Sequence, residues 1–289
     1  MQRDARSREK LRIVVLATLL LVNIVLGYAL AQAGRGKLLT VAFLDIGQGD
    51  AIFIESPGGA QILIDGGPDR AVLAALGSMM PVYDRSIDLV LATHPDADHI
   101  GGLPDVLELF DVNAIVENGG SSETATFGAW QRAGDAEPGA SQIGALRGMA
   151  IALDKETRLT ILFPDRDIST AESNDGSIVA RLDYGATSFL FTGDAPQSVE
   201  KYLVRLDAAS LDVDVLKAGH HGSKTSTSAE FLAATTPEYA IISAGKDNRY
   251  GHPHQEVLAA LAKAGIETLR TDELGTIVFE SDGTRLWRK

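Results

Sequence analysis

The chain has 289 residues, 45% of them hydrophobic, enough for one large core and too apolar for wholesale disorder. It contains no cysteine, which excludes disulfides and thiolate ligands, so any metal must be held by histidine, carboxylate or carbonyl groups. Its formal net charge of −13 repels nucleic acid unless a basic groove is built locally.

The N-terminus, MQRDARSREKLR, carries five basic residues and runs into IVVLATLLLVNIVLGYALA, nearly uncharged over 13–31. Nineteen residues at about 1.5 Å each match a bilayer core of about 30 Å. A positive flank stays in the cytoplasm, so the sequence predicts a transmembrane or signal helix in 1–37 with the remainder, 38–289, exported. Ala31-Gln32-Ala33 resembles a cleavage site, and cleavage there would make the protein secreted. An uncleaved membrane anchor ranks ahead of it, because the apolar run exceeds the roughly 7–15 residues of a signal core.

From Leu38 onward, short β-branched runs alternate with turn signals. LLTVAFLDI, AIFIES and QILIDGG, separated by GQGD and PGGA, read as an antiparallel meander. IDLVLATH reads as a buried strand. IGGLPDVLELF reads as a helix, with Leu103, Val106, Leu107 and Phe110 on one face. VNAIVENGG is the next strand, and the Gly- and Ser-rich 119–148, with Phe127 and Trp130, reads as a loop carrying a short helix. A second series of strands follows: MAIALD, TRLTILFP, SIVARLDYG, TSFLFTGD, VDVLKAGHHG, YAIISAG and TIVFESDG. Helices are expected at SAEFLAATTP and HPHQEVLAALAKAG. Two groups of mostly antiparallel strands, each with helices, predict an α/β sandwich of two sheets packed face to face, helices outside, in one domain over 38–289.

Four segments end a strand in a polar cluster: LIDGG (Asp65), THPDADH (His94, Asp96, Asp98, His99), FTGD (Asp194) and KAGHHGS (His220, His221). YGHPH adds His252 and His254. TGD or LIDGG alone is a common turn, and a His-His pair is commonly a surface feature. Two histidines and two aspartates within six positions are different, because such groups desolvate and repel one another unless a cation joins them.

These motifs resemble the metallo-β-lactamase fold hydrolases, whose pattern is His-x-His-x-Asp-His after a strand. More narrowly, FLDIGQGDAIFIESPGG, ILIDGG, THPDADHIGGLPDVLE, SNDGSIVARLDYG, FLFTGDAP, LKAGHHGSKTSTS and ISAGKDNRYGHPHQEVLAAL resemble the extracytoplasmic hydrolase domain of ComEC-type competence proteins and its stand-alone relatives. The resemblance implies an αββα sandwich of two mixed sheets. It implies His94, Asp98, His99 and one of the pair His220 and His221, with His221 ahead, as ligands, Asp194 bridging two metals, and Asp65 orienting a ligand histidine. Asp96 stands where the broad pattern has a second histidine, and no histidine lies between His99 and His220, where Asn174 falls instead. That oxygen-rich first position favours Mn²⁺ over two tightly held Zn²⁺.

The expectation is therefore an exported metal-dependent hydrolase in which two divalent ions, Zn or Mn, provide hydroxide for phosphodiester or nuclease chemistry. Asp98, His220 and His252 are its candidate catalytic groups, and Ser223 and Lys224 its candidate phosphate contacts. The substrate is a phosphoester, with DNA or a phosphorylated surface polymer as its classes. Only Lys217, Lys224, Lys246 and Arg249 offer positive charge near the motifs, which weighs against nucleic acid. The alternatives are hydrolysis of a C–O, C–N or thioester bond, and a membrane-tethered binding module with a degenerate metal site.

Overall fold

The computed structural model describes residues 2–35, 38–137 and 139–289, and within the first helix the side chains of 10 and 12–27. The chain divides into two compact units, Met1–Leu38 and Leu39–Lys289.

The first unit forms α1 (Gln2–Arg35), with the apolar side chains at 13–16, 19–22 and 24–26 exposed. Among the described residues, no helix is long and apolar enough to cross a membrane. This overturns the expected transmembrane or signal helix, and with it the membrane partner and the anchored, exported placement expected for 38–289. The cleavage expected after Ala33 falls on side chains outside the described residues.

The second unit is a four-layer αββα sandwich. In chain order it comprises β1 (Leu39–Phe43), β2 (Ile52–Glu55), β3 (Gln61–Ile64), α2 (Ala71–Met79), β4 (Ser86–Ala92), α3 (Ala97–Ile100), α4 (Leu103–Leu109) and β5 (Asp111–Glu117). Then come α5 (Ala125–Asp135), β6 (Ser141–Gly144), β7 (Ala150–Ala152), β8 (Thr157–Phe163), β9 (Val179–Tyr184), β10 (Thr187–Phe191), α6 (Gln197–Asp207) and β11 (Val215–Lys217). The chain closes with α7 (Ala229–Thr235), β12 (Tyr239–Ile242), α8 (Gln255–Ala264), β13 (Glu267–Arg270), α9 (Thr271–Leu274), β14 (Ile277–Ser281) and β15 (Leu286–Arg288).

One sheet has the order β15-β14-β1-β2-β3-β4-β5-β6 and the other β13-β12-β11-β10-β9-β8-β7. Both are mixed. The meander β1-β2-β3 is antiparallel, whereas β3-β4-β5-β6 and β10-β11-β12-β13 run parallel. The expectation of mostly antiparallel strands fails in these parallel halves, because α2, α6, α7 and α8 supply crossovers. TIVFESDG also leaves the second group: as β14 it returns to the first sheet and pairs with β1.

Strand alternation builds the layers. Val41, Phe43, Ile54, Ile62 and Ile64 face Leu159, Ile161, Leu182, Phe189, Phe191 and Val215 across the inter-sheet core. Their neighbours Ala42, Leu44, Phe53 and Leu63 face outward to α2 and α4, and Leu190 and Leu216 face α6, α7 and α8 through Val199, Leu203, Phe231, Leu232, Val257 and Leu261. Apolar side chains on both faces explain why these strands read as continuous apolar runs. Residues 119–148 carry more order than a loop: Thr124 caps α5 by accepting from Phe127 N–H, and Phe127 and Trp130 join the outer core.

Candidate metal centre

Every parallel strand that carries a polar cluster ends on the same rim. Asp65 follows β3, Thr93 and His94 follow β4, Asp194 follows β10, and His220 and His221 follow β11. Asp96, Asp98 and His99 sit on the short α3 and at its start. Asp65, His220 and His221 adopt left-handed backbone at φ 59°, 50° and 54°, unfavourable for L-residues and tolerated where surrounding contacts impose it.

Three imidazoles are held from behind. His99 Nδ1 lies 2.7 Å from Asp65 Oδ2. The Thr93 hydroxyl donates to that same oxygen at 2.7 Å and sits 3.0 Å from His94 Nδ1, and Thr93 N–H donates to Asp65 Oδ1 at 2.8 Å. His221 Nδ1 donates to the Ser243 carbonyl at 3.0 Å. Each ring therefore spends Nδ1 on the protein and turns Nε2 forward.

The forward atoms converge on Asp194. His99 Nε2 is 3.3 Å from its Oδ1, while His221 Nε2, His220 Nε2 and His94 Nε2 lie 3.6, 3.5 and 4.0 Å from its Oδ2. Asp98 Oδ2 is 3.4 Å from His221 Nε2, and Asp96 Oδ2 is 3.7 Å from His94 Nε2. Ser173 steadies Asp96 through a 2.6 Å hydrogen bond. His94, His99, His221 and Asp194 are buried, yet their Nε2 atoms and Asp194 Oδ1 have no hydrogen-bond partner among the described residues. Buried polar atoms are normally paired, so a cluster of orphans aimed at one point marks a place for a cation. Tetrahedral ligands at about 2.1 Å from an ion lie about 3.4 Å apart, the spacing found here. Among the described residues four overlapping donor groups result: His94 and His99 with Asp194, Asp98 and His99 with His221, Asp50 and Asp65 with His99, and Asp50 and Asp194 with His221.

The electrostatics of the metal-free cluster match. Burial works against protonation of His99 and His221, but Asp194 with Asp65, and Asp194 with Asp50, outweigh it. His99 is held well above the ordinary imidazole range and His221 is raised to about 9. Burial and the neighbouring His99 lower His94 to about 4. Burial opposes ionisation of Asp98, yet His221 and His99 bring it down to about 2.

Other expected residues take different places. His220 is part exposed and bonds Thr225 through Nδ1 at 3.0 Å, with Asn174 3.5 Å away. His252 stacks on Tyr250, lies 5.5 Å from the His220 ring, and is lowered to about 4 by burial and by His220 and His221. Ser223 Oγ is buried and accepts from the Thr225 hydroxyl at 3.0 Å. Lys224 is exposed, and its backbone N–H donates to His254.

Sequence reasoning missed Asp50. It sits fully buried in the β1–β2 loop, 3.3 Å from His221 Nδ1, and is paired with the equally buried Lys217. The available signal was Lys217 itself, a charge ending the apolar run VDVLK.

A family model described as the Metallo-beta-lactamase superfamily matches residues 44–246. The chain is similar to ComE operon protein 3 of Bacillus subtilis (strain 168), at 35% identity over 257 residues, 83% of this chain and 32% of that protein. It is also similar to Competence protein ComA of Neisseria gonorrhoeae, at 32% identity over 245 residues, again 83% and 32%. The chain thus spans about a third of the length of these curated relatives. Among solved structures it resembles the metallo-beta-lactamase fold protein YhfI from Bacillus subtilis, with a TM-score of 0.55, 13% identity and coverage of 87% of this chain and 100% of that one, a likeness of fold alone.

Proposed function

The chain belongs to the metallo-beta-lactamase superfamily, and from that premise we propose that it is a metal-dependent hydrolase that uses the centre between the two sheet rims. The observation that carries this reading is the set of buried, unpartnered Nε2 and carboxylate atoms converging on Asp194. His94, Asp96 and Asp194 would hold one divalent ion, Zn or Mn, and Asp98, His99, His221 and Asp194 a second. Such ions supply Lewis-acid activation of water and neutralise charge developing on a substrate oxygen. The protein's own part is orientation. Asp65, Thr93 and the Ser243 carbonyl fix three imidazoles in one tautomer, and Thr225 holds His220 at the edge of the centre, where it can meet substrate.

The bond cleaved has two readings. A phosphodiester is favoured by the oxygen-rich donor set, with Asp96, Asp98 and Asp194 suited to hard ions that also hold phosphoryl oxygens. A carboxylic ester, amide or thioester is favoured by the net charge of −13, which opposes a polyanion, and by the neutral His252, which brings no cation to a phosphate.

The test is hydrolysis by the full chain, metal-stripped and then supplied with Mn²⁺ or Zn²⁺, of bis(p-nitrophenyl) phosphate beside a panel of carboxylic esters, amides and thioesters. Asp98→Ala and His99→Ala serve as controls. Metal-dependent turnover lost in both variants supports a hydrolase, and the substrate turned over selects the bond. Metal uptake without turnover of any substrate returns the chain to a binding module.

A further inference from the structure

Lys217 is the last residue of β11, and its ammonium is fully buried. Its Nζ donates to Asp50 Oδ2 at 2.8 Å and to the Ala218 carbonyl at 3.0 Å. A lysine so placed is rare unless paired, and an apolar side chain of similar volume would fill the space without desolvating a charge. The pair joins the two halves of the metal centre. Lys217 belongs to the strand that delivers His221. Asp50 belongs to the opposite sheet's β1–β2 loop, where its N–H donates to the Asp98 carbonyl at 3.2 Å.

Asp50 stands behind His221. Its Oδ1 lies 3.3 Å from Nδ1, on the ring edge away from Asp98 and Asp194, and has no hydrogen-bond partner among the described residues. Nδ1 already donates to Ser243, so carbonyl and carboxylate together keep a proton on that edge, and the Nε2 proton is the one a metal would displace. His99 is served the same way by Asp65. We infer that Asp50, clamped by Lys217, is the positioning residue that keeps His221 turned into the centre, an inference that rests on the metal-centre reading above. The clamp has a second consequence. Asp50, Asp194 and His221 offer atoms within 4.8 Å of one another, so a free Asp50 could compete as a ligand, and Lys217 holds its Oδ2.

The test is calorimetric titration of Zn²⁺ into the metal-stripped full chain, with thermal melts in EDTA, for the unaltered chain, Asp50→Asn, Lys217→Met and the double variant. Asp50→Asn should bind Zn²⁺ roughly 10- to 100-fold more weakly. The double variant, with no charge left unpaired, should recover most of the melting temperature lost by the single variants while keeping the weakened binding. A merely structural pair would recover both together. Unchanged affinity in Asp50→Asn, affinity restored in the double variant, tighter binding in Lys217→Met, or failure of both Asp50→Asn and the double variant to fold would each overturn the inference. If the unaltered chain takes up neither Zn²⁺ nor Mn²⁺ in the same titration, it is the metal-centre reading that fails.

Discussion

Asp65 Oδ2 lies 2.7 Å from His99 Nδ1, across 34 residues of chain, and the opposite nitrogen of that ring faces Asp194 with no hydrogen-bond partner among the described residues. The same carboxylate takes both the N–H and the hydroxyl of Thr93, so one buried side chain sets two of the three inward imidazoles.

Asp65→Asn replaces an acceptor with an amide that must turn an N–H toward at least one of three donors. A buried mismatch costs about 1–3 kcal/mol, which lowers the melting temperature by roughly 2–4 °C per kcal/mol in a domain of this size. Zinc affinity should fall roughly 10- to 100-fold. Melts in EDTA and calorimetric titration check the two effects, and a variant that binds zinc as tightly as the unaltered chain would sink this assignment.

Gly49 and Gly47 stand in one loop with opposite tolerance. A Cβ on Gly49, at φ +129°, would meet the Asp98 carbonyl oxygen at 2.1 Å, whereas one on Gly47, at φ +78°, meets nothing within 4 Å. Gly49→Ala must push the segment bearing Asp98 aside, at about 3 kcal/mol or more, and should weaken metal binding as well. Gly47→Asn keeps a residue tolerant of left-handed backbone and should cost about 1–2 kcal/mol at most. Parallel thermal melts and titrations of the two variants decide; equal losses would contradict the close approach.

The protonation of the metal-free cluster sets a pH dependence. His221, raised to about 9 chiefly by Asp194 and Asp50 against the opposing effect of burial, and His99, raised in the same sense, hold more protons in the folded chain than in the unfolded one. The His221 contribution to stability is full below about pH 6.5 and is lost as pH rises through about 9, and that of His99 is lost in the same direction. His94, lowered to about 4, acts in the opposite sense but only below pH 6.5. In EDTA, the melting temperature should therefore fall between pH 6.5 and 9, with a smaller fall in His221→Gln. Metal must displace these protons, so binding at pH 7 should release at least one and tighten as pH rises. Titration in two buffers of different ionisation enthalpy measures the release, and a pH-independent affinity would contradict it.

The legible part of the molecule was local. The strand–motif–helix unit from Ile87 to Phe110 announces itself, because β4 is apolar on both faces and His94, Asp96, Asp98 and His99 crowd the turn after it. The helices α2 and α6 differ in what they offered: AVLAALGSM is apolar nearly throughout and shows no face, whereas QSVEKYLVRLD places Val199, Tyr202, Leu203 and Leu206 at helical spacing, a signal present in the sequence. At the N-terminus, apolar content over 13–31 argued for a membrane span that the described residues do not supply. Asp50 was hidden for another reason, since GQGD carries the composition of an ordinary turn and its partner lies 167 positions later.

Residue types and their spacing alone bounded the chemistry available: histidines and carboxylates without thiols, dense enough after one strand to suit a cation. Which atoms could face a cation was decided by the fold. The neighbours His220 and His221 differ only in that successive left-handed residues send one ring to Thr225 at the edge and the other to Ser243 within. Asp194 meets His99 only because two separate sheets end on a common rim. Local sequence specifies strands and turns through short-range sterics and hydrophobic alternation, but ligand geometry comes from contacts between segments a hundred residues apart, and those exist only once the sheets have packed.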